Sequence, residues 1–242
     1  MNGALFCLDE TVEEVCKPEP KKQSKKRNTL STTHFQIFDY WKDKAITKDG
    51  EIVPDTKEYF KISIPVIEDW GEPTCWCCGK HIDIFSMKGY NKALKDGDLK
   101  HIWNYAKVKK YLNRAHIIPK ALGGNPSADN LFLLCSNCHA CSPDFVIPKM
   151  FYKYIYNVRT TSGGLNNLSA LNILCDSSYS VTDFIESLHN ENNLSYEKLN
   201  EIITQDSLFD VVSKMCNIHG TSMSLATYKA ALTYLIESNR KE

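Results

Sequence analysis

The chain has 242 residues, 43% of them hydrophobic and 11% aromatic, with 29 basic and 29 acidic side chains. That is enough apolar surface to bury a substantial core, which excludes a disordered chain, and no apolar run approaches the ~20 residues needed to span a bilayer. A formal net charge of zero does not exclude a nucleic-acid partner, because local fields decide that contact and the charges here are unevenly placed.

Residues 1–16 are acidic, and the N-terminus (MNGALFCLDETVEE) lacks the basic n-region and long apolar h-region of a secretory signal, so a cytoplasmic location is expected. In a chain of this size without such a signal, ten cysteines point to metal ligation or free thiols rather than a disulfide scaffold. Residues 1–33 have few periodic apolar positions and carry Pro18 and Pro20 among lysines, so they read as a flexible leader. The basic run at 21–27 (KKQSKKR) is either a solvated arm or a phosphate-binding one. Organised structure is expected from His34. Phe35, Phe38 and Trp41 fall near helical spacing, and Ser31 or Thr32 can cap the helix. Lys48-Asp49-Gly50 is a turn, and residues 59–67 (YFKISIPVI) form a β-prone run interrupted by Pro65.

The first cysteine knuckle follows, PTCWCCGK. Two thiolates two residues apart and followed by glycine can fold around one tetrahedral Zn²⁺, which favours Cys75 and Cys78, with Cys77 as a packing bystander and a Cys75–Cys77 pairing as the alternative. The second knuckle is Cys135-Ser136-Asn137-Cys138, although Cys138 and Cys141 have the same spacing. Two such knuckles predict a four-cysteine structural zinc site of Cys75, Cys78, Cys135 and Cys138. Between them lies a lysine-rich stretch interleaved with Trp103, Tyr105 and Tyr111, with Asp98 placed to cap a helix running to about Lys109. It lies on a phosphate backbone or is an amphipathic helix with aromatics inside and lysines outside.

Residues 111–118 then read as a strand ending at Pro119, Gly123-Gly124-Asn125-Pro126 as a loop, and residues 131–134 as a second strand. Ser136 is placed to cap a helix. After Asp144 the chain reads as helical: 148–158, rich in aromatics expected in the core, then 168–174, 182–189 after a Ser180-x-x-Asp183 box, 196–215 with a break near Gln205, and 224–237. The last helix places Leu225, Tyr228, Ala231, Leu232 and Leu235 on one face. Residues 165–242 are predominantly acidic, which suits a scaffold, a homodimer surface or a partner-binding module better than a second phosphate-gripping face.

The order Cys75-x-x-Cys78-Gly79, Ala115-His116-Ile117-Ile118-Pro119, Gly123-Gly124, Asp129-Asn130-Leu131 and Leu134-Cys135-x-x-Cys138-His139 resembles the HNH endonuclease family, the zinc-stapled branch of the ββα-metal nucleases. The resemblance covers about seventy residues and implies a ββα-metal nuclease module with a four-cysteine zinc site; with the helices read after it, the expected fold is α+β, the nuclease module over residues 34–158 and an all-helical C-terminal region over 165–242. It also implies that His116 is the general base, that Asn130 holds the loop and orients the base by a hydrogen bond, and that His139 ligates a single catalytic divalent ion. Mg²⁺ or Mn²⁺ is the usual ion, and imidazole ligation also admits Ni²⁺. The family commonly has Asp or His just before the base, where this chain has Ala115, and some members have a further histidine where Pro143 stands. The second metal ligand must come from elsewhere, with Asp144 the first candidate and Asp129 a weaker one. Arg114 and Lys120 are candidate phosphate contacts. The activity implied is metal-dependent hydrolysis of DNA phosphodiester bonds, in restriction or in phage or mobile-element DNA processing. The alternatives are a structure-selective or RNA-directed nuclease and a non-catalytic zinc-dependent DNA-binding protein.

Overall fold

In the computed structural model, residues 32–68, 70–82, 89–160, 181–218 and 223–240 are described. Helix α1 (His34–Trp41) starts with a reciprocal cap. The Thr33 hydroxyl accepts from the Gln36 amide and the Gln36 side chain accepts from the Thr33 amide, which satisfies two end donors at once. The cap is therefore Thr33, not Ser31 or Thr32, because only Thr33 has a glutamine three residues on. Strands β1 (Lys44–Thr47) and β2 (Ile52–Pro54) form a hairpin over the turn at 48–50, and β3 (Ser63–Pro65) joins the other edge of β1, giving the antiparallel order β2-β1-β3. The β-prone run expected at 59–67 contracts to three residues because 56–62 close into turns, with Tyr59 N–H donating to Thr56 O and Ile62 N–H to Tyr59 O.

Asp98 caps a helix as expected, accepting from the His101 amide at 2.9 Å, but that helix, α3 (Leu99–Trp103), is short. It follows α2 (Tyr90–Lys95), and the extended backbone of Tyr105 separates it from α4 (Ala106–Tyr111). Of the two readings of this stretch, the aromatic half is settled toward core. Trp103 is fully buried, stacks on Phe38 at 4.9 Å and donates to Gly71 O at 3.0 Å. Lys92, Lys95, Lys100, Lys107, Lys109 and Lys110 are exposed.

Strands β4 (Leu112–His116) and β5 (Leu131–Cys135) pair antiparallel, with Ala115 opposite Phe132 and His116 opposite Leu131. All five β5 residues are buried, as an unbroken apolar run requires of a strand covered on both faces. Phe132 is its centre, meeting Trp41, Trp76 and Phe151 edge-on at 5.3, 5.0 and 5.5 Å, the geometry that ring quadrupoles favour. Helix α5 (Ser136–Cys141) follows directly, with Cys135 rather than Ser136 at its N-cap. Helix α6 (Pro148–Thr160) turns Phe151 and Tyr154 inward, as expected of an aromatic stripe, and ends on buried Arg159. That guanidinium donates to Pro65 O and to Glu68 Oε1, tying α6 to the edge of β3.

Helices α7 (Val181–Asn192), α8 (Tyr196–Ile202), α9 (Gln205–Met215) and α10 (Leu225–Asn239) build a second core with Leu188, Leu199, Val211, Leu232 and Ile236. The break expected near Gln205 falls at Ile203 and Thr204, where Thr204 caps α9 reciprocally with Ser207. In α10 the deeply buried stripe is Ala226, Ala230, Ala231, Leu232, Leu235 and Ile236, while Leu225 and Tyr228 are half-buried. The helix expected at 168–174 and the cap expected at Ser180 lie outside the described residues. No helix among the described residues is long and apolar enough to cross a membrane.

Candidate functional site

Cys75, Cys78, Cys135 and Cys138 are all buried, and their sulfurs lie within 4.8 Å of one another. Four thiolates at 2.3 Å around a tetrahedral ion would stand about 3.8 Å apart, and Cys78 Sγ to Cys135 Sγ is 4.0 Å, so the donor set fits such an ion closely. Backbone bonds hold the frame. The Cys135 amide donates to Cys75 Sγ at 3.2 Å, Trp76 N–H to Leu133 O at 3.1 Å, and Tyr154 Oη to Cys138 O at 3.4 Å. Burial pushes the Cys75 thiol well above the ordinary range. Hydrogen bonding from Cys138, and then from Cys75 and Cys78, pulls Cys135 far below it. Cys77 is buried but outside the cluster, beside Tyr154, and packs as a bystander. The other spacing, Cys138 with Cys141, is not used, because Cys141 is disulfide-bonded; that bond departs from the metal ligation or free thiols expected of the cysteines, whereas Cys216 is a buried free thiol.

The four-cysteine frame carries a strand, a loop and a helix that bring the three motif residues to one place. His116 ends β4, Asn130 precedes β5 and His139 lies in α5. His116 is half-buried, and its Nε2 is buried without a hydrogen-bond partner. Burial, and then the nearby positive charges of His139, Lys120 and Arg114, hold its pKa below the usual 6.5, so the imidazole is neutral at neutral pH.

Asn130 holds the loop, as the resemblance implies, but not with the hydrogen bond expected. Its amide does not bond to the imidazole. Oδ1 accepts from Ile118 N–H at 2.8 Å, while Nδ2 donates to Ile118 O at 3.1 Å and Asn125 O at 2.9 Å. Its backbone carbonyl accepts from Ile117 N–H at 2.9 Å. Asn130 therefore orients His116 through the backbone of the two residues after it, by clamping the loop between the strands.

Gly124 is what lets the clamp close. A Cβ there would lie 1.8 Å from Ile118 O and 2.8 Å from Asn130 Nδ2, so no side chain fits. Gly124→Ala should displace the Ile118 carbonyl from the Asn130 amide, costing about 2 kcal/mol or more of stability. A thermal melt and a plasmid-nicking assay would both register it, and an unchanged melt would show that the loop is not held this tightly.

The remaining candidates spread around this centre. Ala115 is completely buried in the core, so its position on β4 faces hydrophobic packing rather than an open site. Arg114 donates from Nη1 to Thr32 O at 2.8 Å, and Thr32 donates to Pro126 O, tying the start of the described chain to the loop between β4 and β5. Lys120 is exposed on a 3₁₀ turn (Lys120–Leu122). Asp129 accepts from Ser127, and its charge, after burial, contributes to raising the Tyr40 and Tyr152 hydroxyls. Asp144 follows α5; its amide donates to Thr227 Oγ1 at 2.8 Å and its carbonyl accepts from Asn217 N–H at 3.0 Å. Among the described residues, no group of three or more His, Cys, Asp or Glu donors includes His139.

Two further supports had no signature in the sequence. Trp41 Nε1 donates to both Ala128 O and Leu131 O, at 3.0 and 2.9 Å, fixing the start of β5 from the far end of α1. Buried His34 bonds through Nε2 to Leu112 O at 2.9 Å. Each contact joins residues about eighty or ninety positions apart, which no local pattern reveals.

Residues 103–143 match the model of the HNH endonuclease family. A curated relative, Probable mobile endonuclease D of Enterobacteria phage T4, is 36% identical over 70 residues, which make up 29% of this chain and 25% of that protein. The match thus spans about a quarter of the relative's length. No solved structure matches. The β4–loop–β5–α5 unit with His116, Asn130 and His139 lies within the matched segment, and the chain carries an HNH endonuclease domain over residues 103–143.

Proposed function

We propose that the chain is a divalent-metal-dependent endonuclease that hydrolyses phosphodiester bonds of duplex DNA, in restriction or in phage or mobile-element DNA processing. The observation that carries this is His116, a neutral imidazole with an unpartnered buried Nε2, near His139 and at the end of the strand that leads into the loop clamped by Asn130. His116 takes the proton of a water whose oxygen attacks phosphorus in line, and the P–O bond to the 3′ oxygen breaks. Arg114 and Lys120 offer positive charge to the phosphate. His139 and Asp144 would hold the ion, a nitrogen and a carboxylate that suit Mg²⁺, Mn²⁺ or Ni²⁺ when water and phosphate oxygens complete the shell. When bound, such an ion neutralises charge developing on the phosphate and the leaving oxygen. The four-cysteine cluster takes Zn²⁺ in a structural role.

The burial of Ala115 favours a second reading, a zinc-dependent protein that binds DNA without cutting it. Purified protein with Mg²⁺ or Mn²⁺ and supercoiled plasmid separates the two. Nicking supports the nuclease, while retention of DNA with no cleavage under any of these ions supports binding alone. The acid limb of the cleavage profile should lie below pH 6.5, since the base works only unprotonated and its pKa is lowered by burial and neighbouring cations. A limb above pH 6.5 would assign the base to another group.

A further inference from the structure

The segment that follows His139 is held in part by hydroxyls of the C-terminal helical region. The Ser142 hydroxyl donates to His139 O at 2.8 Å, and Ser142 itself is buried. Ser224 Oγ donates to Ser142 O at 3.3 Å and accepts from Thr227 N–H at 3.1 Å. Ser224 Oγ and Thr227 Oγ1 are 2.8 Å apart, and Thr227 Oγ1 accepts from the Asp144 amide at 2.8 Å. Because the Ser224 proton is spent on Ser142 O, the proton between the two hydroxyls must be that of Thr227. Every hydroxyl proton then points one way, from Thr227 to Ser224, from Ser224 to Ser142 O, while that of Ser142 reaches His139 O. Thr227 is completely shielded from solvent, so water cannot replace it. Further bonds from Asn217 N–H to Asp144 O and from Val146 N–H to Met215 O fasten the same segment to the end of α9.

We infer that Ser224 and Thr227, at the N-terminal end of α10, are positioning residues for the catalytic ion. They hold the backbone of the tail that leads from His139 to Asp144, which makes the helical C-terminal region part of the metal site rather than an appended scaffold. The inference rests on the reading of His139 and Asp144 as the residues that hold that ion. Groups behind a metal ligand typically matter by about 10- to 100-fold in metal affinity.

The test is a Mn²⁺ titration of the full chain, read both by calorimetry without DNA and by the Mn²⁺ concentration for half-maximal plasmid cleavage. Thr227→Val keeps the shape and removes the acceptor for the Asp144 amide. It should weaken Mn²⁺ binding by about 10-fold or more and move the cleavage midpoint equally, with cleavage largely recovered at saturating Mn²⁺. Thr227→Ser should restore wild-type values. Ser224→Ala, at a half-buried site, should shift the midpoint in the same direction and serves if Thr227→Val does not fold. Wild-type Mn²⁺ affinity and midpoint in folded Thr227→Val, or in Ser224→Ala where it stands in, would overturn the inference. His139→Ala separates the two levels. If it binds Mn²⁺ and cleaves as wild type does, the metal-site reading fails; if it has lost both while the hydroxyl variants titrate normally, only the positioning role fails.

Discussion

Replacing His116 by alanine is expected to lower the rate of plasmid cleavage by about 1,000-fold while leaving the protein folded. A positioned general base contributes on the order of 10²- to 10⁴-fold, and no other imidazole in this domain has a buried nitrogen free of partners among the described residues. Its Nε2 makes no hydrogen bond that the change would break, so the loss should cost about 1 kcal/mol through packing. Low activity and near-normal stability therefore go together, and the pair of measurements is what makes the result informative. A variant that is inactive because it is unfolded would show in the melt. A folded variant that cuts at the wild-type rate would remove His116 from the chemistry altogether.

Removing the structural metal should have the opposite signature, loss of the fold first and of activity as its consequence. Apparent zinc affinities of cysteine sites correspond to about 10–16 kcal/mol, against a net stability of about 5–15 kcal/mol for a whole domain. Here the ion would join Cys75 and Cys78 to Cys135 and Cys138 at the junction of β5 and α5, so its loss detaches the first knuckle from the strand that Phe132 anchors. Strong chelation, or Cys135→Ser, is expected to abolish cooperative thermal unfolding, and metal analysis should drop from about one Zn²⁺ per chain to none. Cys77→Ser should keep the metal, since that thiol lies outside the cluster. A chain that retains its melt after complete removal of metal would show that the four thiols are buried cysteines and nothing more.

What could be read in advance depended on how local the signal was. The two knuckles, the motif order around His116, Asn130 and His139, the aromatic stripe of α6 and the break between α8 and α9 are all set by spacing over a few residues. They were therefore visible along the chain. The hairpin of β1 and β2 was not, because three- and four-residue strands carry too little alternation to stand out from the end of α1. Asn130 illustrates the next level. Its identity was legible, but whether its amide reaches the imidazole or the loop depends on how closely Gly124 lets the backbone approach Ile118.

The sequence by itself therefore determined the kind of site: which side chains are present, in which order, and that two pairs of thiols could frame them. Only the tertiary structure decided what surrounds them. It buried Ala115 opposite Phe132, left His116 Nε2 without a partner, and brought Ser224 and Thr227 onto the tail after His139. Those outcomes are long-range packing, the joint result of burying Trp41, Trp76 and Phe132 together and of docking α10 against α6 and the tail after α5. No periodicity in one segment encodes a contact with another eighty residues away, so the chemistry could be read locally while the support of that chemistry could not.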